Sequence, residues 1–279
     1  MKTQAEKAAA FAALHARPGA FLIPNPWDVG SARLLEHLGF ESLATTSAGY
    51  AFSLGKCDNT IAREETLAHA AAIAGATDLP VSADLEHGFG DSPESVAETI
   101  RLAANAGLAG GSIEDSTGRS ENPQYELARA AERVRAAAEA ARALPFRFTL
   151  TARAENFLVG RPDLKDTIAR LQAYQQAGAG VLYAPGLATL EDVAAVVRAV
   201  DRPVNVLASA QFSVAALAEI GVQRISVGSA LARAAYGAFL SAAREMREQG
   251  TFRFAEQAVS YRDITGIFES LTSVQGGAG

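Results

Sequence analysis

The stretch PVSADLEHGFGDSPESVAETIRLAANAGLAGGSIED, residues 80–115, holds two short apolar runs with a helix pattern between them. PVSADLE (Pro80 to Glu86) and GGSIED (Gly110 to Asp115) read as strands. PESVAETIRLAANAG reads as an amphipathic helix, opened by Asp91 or Ser92 as its cap and closed by an Ala-Gly pair. A strand, a crossover helix and a second strand form a βαβ unit, whose two strands lie parallel.

The same rhythm runs outward in both directions. AFLIPN (Ala20 to Asn25) and SLATTS (Ser42 to Ser47) precede it, and RFTLTARAE (Arg147 to Glu155), GVLYAPG (Gly180 to Gly186), PVNVLAS (Pro203 to Ser209) and RISVGS (Arg224 to Ser229) follow. Alanine-rich helix patterns such as VGSARLLEHLG, YELARAAERVRAAAEAARAL and SALARAAYGAFLSAAREMREQ separate the strands. Eight strand-helix units are the arithmetic of a (β/α)8 TIM barrel of α/β class. A doubly wound open sheet competes, but no GxGxxG follows the first strand and no P-loop is present. No linker divides the chain, so residues 1–279 are expected to form one barrel domain. A C-terminal helical extension over 250–272, TFRFAEQAVSYRDITGIFESL and its flanks, is too apolar for a loose tail and should pack on another surface, such as a neighbouring subunit.

Composition narrows the function. The chain is 49% hydrophobic and 20% charged, with net charge -6 and an isoelectric point near 5.3. It has no run of like charge, so neither a nucleic-acid surface nor an anionic-membrane surface is expected. Cys57 is the single cysteine, which excludes an internal disulfide and a multi-cysteine zinc site and fits a reducing compartment, with the cytoplasm as the expectation. The N-terminal MKTQAEKAAAFAALHARPG reads as an amphipathic helix, and no segment reaches the apolar length of a membrane span.

Barrel chemistry is built at the C-terminal strand ends. Asp84 and Glu86 lie two apart on a strand, so both should face one way and Leu85 the other. Glu114 and Asp115 end the next strand, which would put three or four acids around one mouth, where mutual repulsion raises their pKa values unless a cation intervenes. An oxygen-only set favours Mg2+, or Mn2+, over zinc. The bland alternative is a group of solvated carboxylates and helix caps. Arg153, ending TARAE, can grip a substrate anion through its planar fork or pair with Glu155 or Glu114. The small turn after SLATTSAG lets backbone amides approach an anion.

Other residues stay open. His87, beside the acids, can serve as proton donor or face outward at a helix entry. Cys57 beside Lys56 reads as incidental, and Asp28 as a helix cap next to a core Trp27. His15 and His69 read as surface residues on helices. Tyr183 can line the mouth or pack in the core.

The order PNPWDVGSARLLEHLGF, TTSAG, SLGKCDNT, ADLEHGFGD, GGSIEDS and TARAE resembles the isocitrate lyase and phosphoenolpyruvate mutase superfamily over nearly the whole chain. The resemblance implies a Mg2+-bearing (β/α)8 barrel that forms a homo-oligomer, dimer or tetramer, with its eighth helix exchanged between subunits. It implies small 2-oxo or 2-hydroxy carboxylic acid substrates whose C-C or P-C bond is cleaved or formed through an enolate. By position it makes Asp84 the direct metal ligand, with Glu86 and Glu114 holding metal-bound waters. Asp58 matches an acid on a gating loop. Thr46, Ser47 and Ala48 fall where the substrate carboxylate and oxo oxygen are cradled, Arg153 where an anion is bound, and Asn205 is a candidate polar contact.

Two departures bear on the substrate. The superfamily's Asp-x-Asp is Asp84-Leu85-Glu86 here. The lysine- and cysteine-bearing loop of the isocitrate and methylisocitrate lyases is STGRSENPQYE, which argues against those substrates and toward the oxaloacetate decarboxylase-like branch; Arg119 and Asn122 only echo the mutase loop. The expectation is therefore a Mg2+-dependent carbon-carbon lyase acting on a small 2-oxo or 2-hydroxy dicarboxylate. A phosphonopyruvate mutase or hydrolase, a barrel with a phosphate site at Gly228 and Ser229, and a non-catalytic oxo-acid-binding barrel are the competing readings.

Overall fold

The structure, a computed structural model, describes residues 2–276; Met1 and residues 277–279 of the expected 1–279 domain lie outside it. Eight parallel strands are present: β1 (Phe21–Ile23), β2 (Leu43–Ala44), β3 (Val81–Asp84), β4 (Gly110–Glu114), β5 (Thr149–Arg153), β6 (Val181–Tyr183), β7 (Val204–Leu207) and β8 (Arg224–Ser226). Their order, β1-β8-β7-β6-β5-β4-β3-β2, is that of a nearly closed (β/α)8 barrel. At the seam between β1 and β2 there is no ladder, but the Ala44 amide donates to the Pro24 carbonyl (3.0 Å) and Asn25 Nδ2 donates to the Thr45 carbonyl (3.1 Å).

Around the barrel run α1 (Gln4–Ala16), α2 (Val29–His37), α3 (Ser47–Ser53), α4 (Arg63–Gly75), α5 (Pro93–Asn105), α6 (Leu127–Arg142), α7 (Leu164–Ala177), α8 (Leu190–Ala199), α9 (Val214–Glu219), α10 (Ala230–Gln249) and α11 (Tyr261–Gly276). The spacing of α5 shows why these segments are helical: Val96, Ile100, Ala103 and Ala104 recur every three or four residues and are buried, while Ser92 caps the first turn and Pro93 opens it. Burying Val96 and Ile100 contributes about 1.5–3 kcal/mol each. The main core fills the layer between strands and helices. A second cluster, in which Phe11 and Leu14 of α1 meet Phe21, Ile23 and Ala109, closes the N-terminal end of the barrel.

All eight strands stop one to three residues before their sequence patterns do, always at the C-terminal end. The polar residues there leave the sheet to build loops and caps. Thr46 caps α3 by accepting from the Gly49 amide (3.2 Å), so the expected end of the second strand is instead the start of a helix. Residues past the eighth unit fold as a short 3-10 turn (Arg253–Gln257) and as α11, which packs on α2. Among the described residues, no helix is long and apolar enough to cross a membrane.

Candidate active site at the C-terminal strand ends

Arg153, the last residue of β5, organises the mouth. Its Nη1 donates to Asp84 Oδ1 (3.0 Å), Nη2 lies 3.1 Å from Glu114 Oε2 and Nε donates to Glu155 Oε1 (2.8 Å). Glu114 is its register partner on β4, while Asp84 ends β3, so adjacent strand ends supply the carboxylates. Burial by itself would lower the guanidinium's pKa, but Glu155, Glu114 and Asp84 together hold it well above the usual arginine value.

Asp84 is held from both sides. Its amide donates to Thr45 Oγ1 (3.0 Å), and Ser47 Oγ donates to its Oδ2 (3.0 Å). Glu86 reaches the same cluster by a different route from the one expected. The strand ends at Asp84 and Glu86 sits in a turn at φ 47°, a left-handed conformation that is uncommon and costly for a non-glycine residue. Its Oε1 is buried with no partner, and burial, then Asp84, Glu114 and Asp58, push its carboxyl up to about 8. Glu114 accepts from Ser116 Oγ (2.5 Å), and burial raises its pKa against the pull of Arg153. Asp58, on the loop after α3, has its carboxyl near Ser47 and Asp84, and desolvation and then the Asp84 charge raise it.

Asp115 is not part of the cluster. Neighbours on a strand face opposite ways, and Asp115 turns outward to accept from Arg170 Nη1 (3.1 Å), Tyr174 Oη (2.5 Å) and the Glu155 amide (2.8 Å). Glu155 is the fourth acid instead.

A cavity of about 150 Å³ opens beside Asp84 and Arg153, lined also by Thr46, Ser47, Ala48 and Asp58. Asn205 lines it lower down; its Nδ2 donates to Ser226 Oγ (2.9 Å). Tyr183 lines it too, with Arg153 5.2 Å from its ring centre. Glu86 and Glu114 are not among its lining residues. His87 lines a separate depression formed with residues 62–64 and 89–91, and its carbonyl accepts from Arg133. Burial, then Arg133, lower its pKa. Cys57 is exposed. Arg119 is tied to Asp91 (2.8 Å), which fixes the loop that departs from the lyase pattern.

Two histidines expected on the surface are half-buried. His69 stacks on Tyr50 at 3.7 Å and its Nε2 bonds the Trp27 carbonyl (2.9 Å). His15 sits edge-on between Phe11 and Phe21, and desolvation, then Arg224, lower its pKa to about 3. Sequence reading also passed over Arg224, although strand parity with Ser226 turns both inward.

An all-oxygen set with an unpartnered buried carboxylate oxygen fits a hard divalent cation such as Mg2+ or Mn2+. Among the described residues, no group of three or more His, Cys, Asp or Glu side chains is arranged to hold a metal.

The chain belongs to the phosphoenolpyruvate phosphomutase family, whose model matches residues 11–247, within the phosphoenolpyruvate mutase and isocitrate lyase superfamily of lyases and mutases. A Burkholderia cenocepacia J2315 crystal structure, provisionally assigned as a lyase/mutase, is 63% identical with a TM-score of 0.93, covering 95% of this chain and 96% of that one. An uncharacterized Mycobacterium tuberculosis protein, Rv1998c, is 33% identical over 84% of this chain and 88% of its own length. The oxaloacetate decarboxylase of Pseudomonas savastanoi pv. phaseolicola is 29% identical over 91% of this chain and 89% of its own.

Proposed function

We propose that the protein is a divalent-metal-dependent lyase that cleaves a carbon-carbon bond in a small 2-oxo or 2-hydroxy dicarboxylate through an enolate, with oxaloacetate as the leading substrate. The observation that carries this reading is the oxygen-only cluster of Asp84, Glu86 and Glu114 at adjacent strand ends, with a cavity opening beside it. Asp84 would bind Mg2+ directly, and Glu86 and Glu114 would hold its waters. Bound there, the ion supplies an electrophile for the negative charge that develops on the substrate carbonyl.

The chain's own residues do the rest. Arg153 locks Asp84 and Glu114 in place and offsets part of their negative charge beside the cavity. Ser47 fixes the rotamer of Asp84 through its hydroxyl. Thr46, Ser47 and Ala48 line the side where the substrate carboxylate would lie. Asp58, with its raised pKa and its place at the cavity edge, is the group suited to carry a proton. Loss of CO2 from oxaloacetate needs little beyond an electron sink, which agrees with a loop that has no cysteine, lysine or histidine.

We also propose that α10 packs against a second copy of the chain. Of its 20 residues only Ala232 is buried, while Phe239, Leu240 and Met246 are exposed.

The test is turnover of oxaloacetate, 2,3-dimethylmalate and phosphonopyruvate with Mg2+. Pyruvate formed from oxaloacetate faster than with Mg2+ alone, and lost in Asp84→Ala, supports the reading. Phosphate release instead moves the activity to P-C bonds, and silence on all three substrates rejects the lyase.

A further inference from the structure

The cavity has two cations, and only one of them is neutralised. Arg153 is spent on three carboxylates. Arg224, the first residue of β8, is 5% exposed and faces no acid: its Nε donates to Asn205 Oδ1 (2.8 Å), and its Nη1 is buried without any partner. The other buried arginines are provided for. Arg170 meets Asp115 and Asp166, and Arg133 meets two carbonyls and lies 4.2 Å from the Tyr125 ring centre.

Register connects Arg224 to the mouth through two intervening strands. Arg153 pairs with Tyr183, Tyr183 with Asn205 and Asn205 with Arg224, so four inward side chains form one row across β5 to β8. Arg224 begins its strand where Arg153 ends its own, so it stands deeper in the barrel, yet it lines the same cavity as Asp84 and Arg153. Its head is held in place: Asn205, which accepts its bond, is itself fixed by Ser226. The titratable neighbours bring no negative charge at neutral pH, because His15 titrates near 3 and burial pushes Tyr183 up to about 12. A buried guanidinium with no counter-charge is costly, and that cost is relieved when a ligand supplies the anion.

We propose that Arg224 forms the floor of the substrate cavity and receives the second anionic group of the substrate, selecting diacids over monoacids. This rests on the reading of the mouth as the site for the first carboxylate. It makes Arg224 a specificity-determining residue held ready by Asn205, distinct from the cluster at the rim.

The test compares L-malate with L-lactate, which differ only by the distal carboxylate, using calorimetry on wild type, Arg224→Gln and Arg224→Lys in Mg2+. Oxalate, too short to reach the floor, reports on the rim. Wild type should prefer malate by about ten- to hundredfold, the size of one charge-assisted contact. Arg224→Gln should remove that preference and leave oxalate affinity within about threefold, while Arg224→Lys keeps part of the preference. Both variants retain a polar head for Asn205, and their melting temperatures check the fold. An unchanged malate-to-lactate ratio in Arg224→Gln, an equal loss of oxalate affinity, or no malate binding by wild type overturns the proposal. Failure of oxalate alone counts against the rim reading, because the ratio cancels whatever malate and lactate share.

Discussion

Replacing Arg153 with methionine should cost a great deal of stability at neutral pH and much less in mild acid. The side chain is only 13% exposed and bridges Asp84, Glu114 and Glu155 at 2.8–3.1 Å. Without the guanidinium, at least one buried carboxylate must take up a proton to stay in place. From an unfolded value near 4.3, that protonation costs about 4.5 kcal/mol at pH 7.5 and about 1.7 kcal/mol at pH 5.5, at roughly 1.4 kcal/mol per unit. The figure at pH 7.5 lies within the roughly 3–5 kcal/mol seen when one partner of a buried pair is removed. Urea unfolding with a chelator present, followed at both pH values by circular dichroism, measures the difference. Equal losses at the two pH values, or a loss below about 1 kcal/mol at pH 7.5, would refute the view that Arg153 neutralises this cluster.

Three further outcomes are expected. His15 titrates near 3 when folded and near 6.5 when unfolded, so the unfolded chain binds the extra proton between these values; its contribution is full above pH 6.5 and is lost as pH falls toward 3. His15→Phe should therefore flatten the acid limb of the stability-pH curve, and an unchanged limb would contradict the buried neutral ring. A Cβ on Gly110 would lie 2.6 Å from the Thr149 carbonyl oxygen and 2.9 Å from Phe11 Cε1, so Gly110→Ala should destabilise by about 1–3 kcal/mol or more in thermal melts. Phe239→Asp with Leu240→Asp should lower the mass measured by light scattering if α10 is covered by a second copy; an unchanged mass sinks that assignment.

The barrel was legible because each strand is a short β-branched run and each helix an alanine-rich period, and these signals survive without tertiary context. α3 was not, because SAGYAFS has no clear period and is nucleated by the Thr46 cap. Residue identities placed Asp84, Arg153 and Glu114 together, whereas the route of Glu86 depends on a left-handed turn that the pattern of alternating side chains cannot show. Strand parity was available and would have excluded Asp115 and brought in Glu155 and Arg224. His15 carried a weaker signal, since Phe11 one turn earlier marks that helix face as covered.

The central claim is a metal-dependent site for a 2-oxo acid at the strand ends, and oxalate, a planar dianion shaped like the enolate of pyruvate, probes it most directly. Calorimetric titration of oxalate into the chelator-treated and the Mg2+-loaded protein, in wild type and Asp84→Asn, should show binding only with Mg2+ and only with Asp84 intact. Binding of equal strength without the metal, or undiminished binding in Asp84→Asn, would contradict the account.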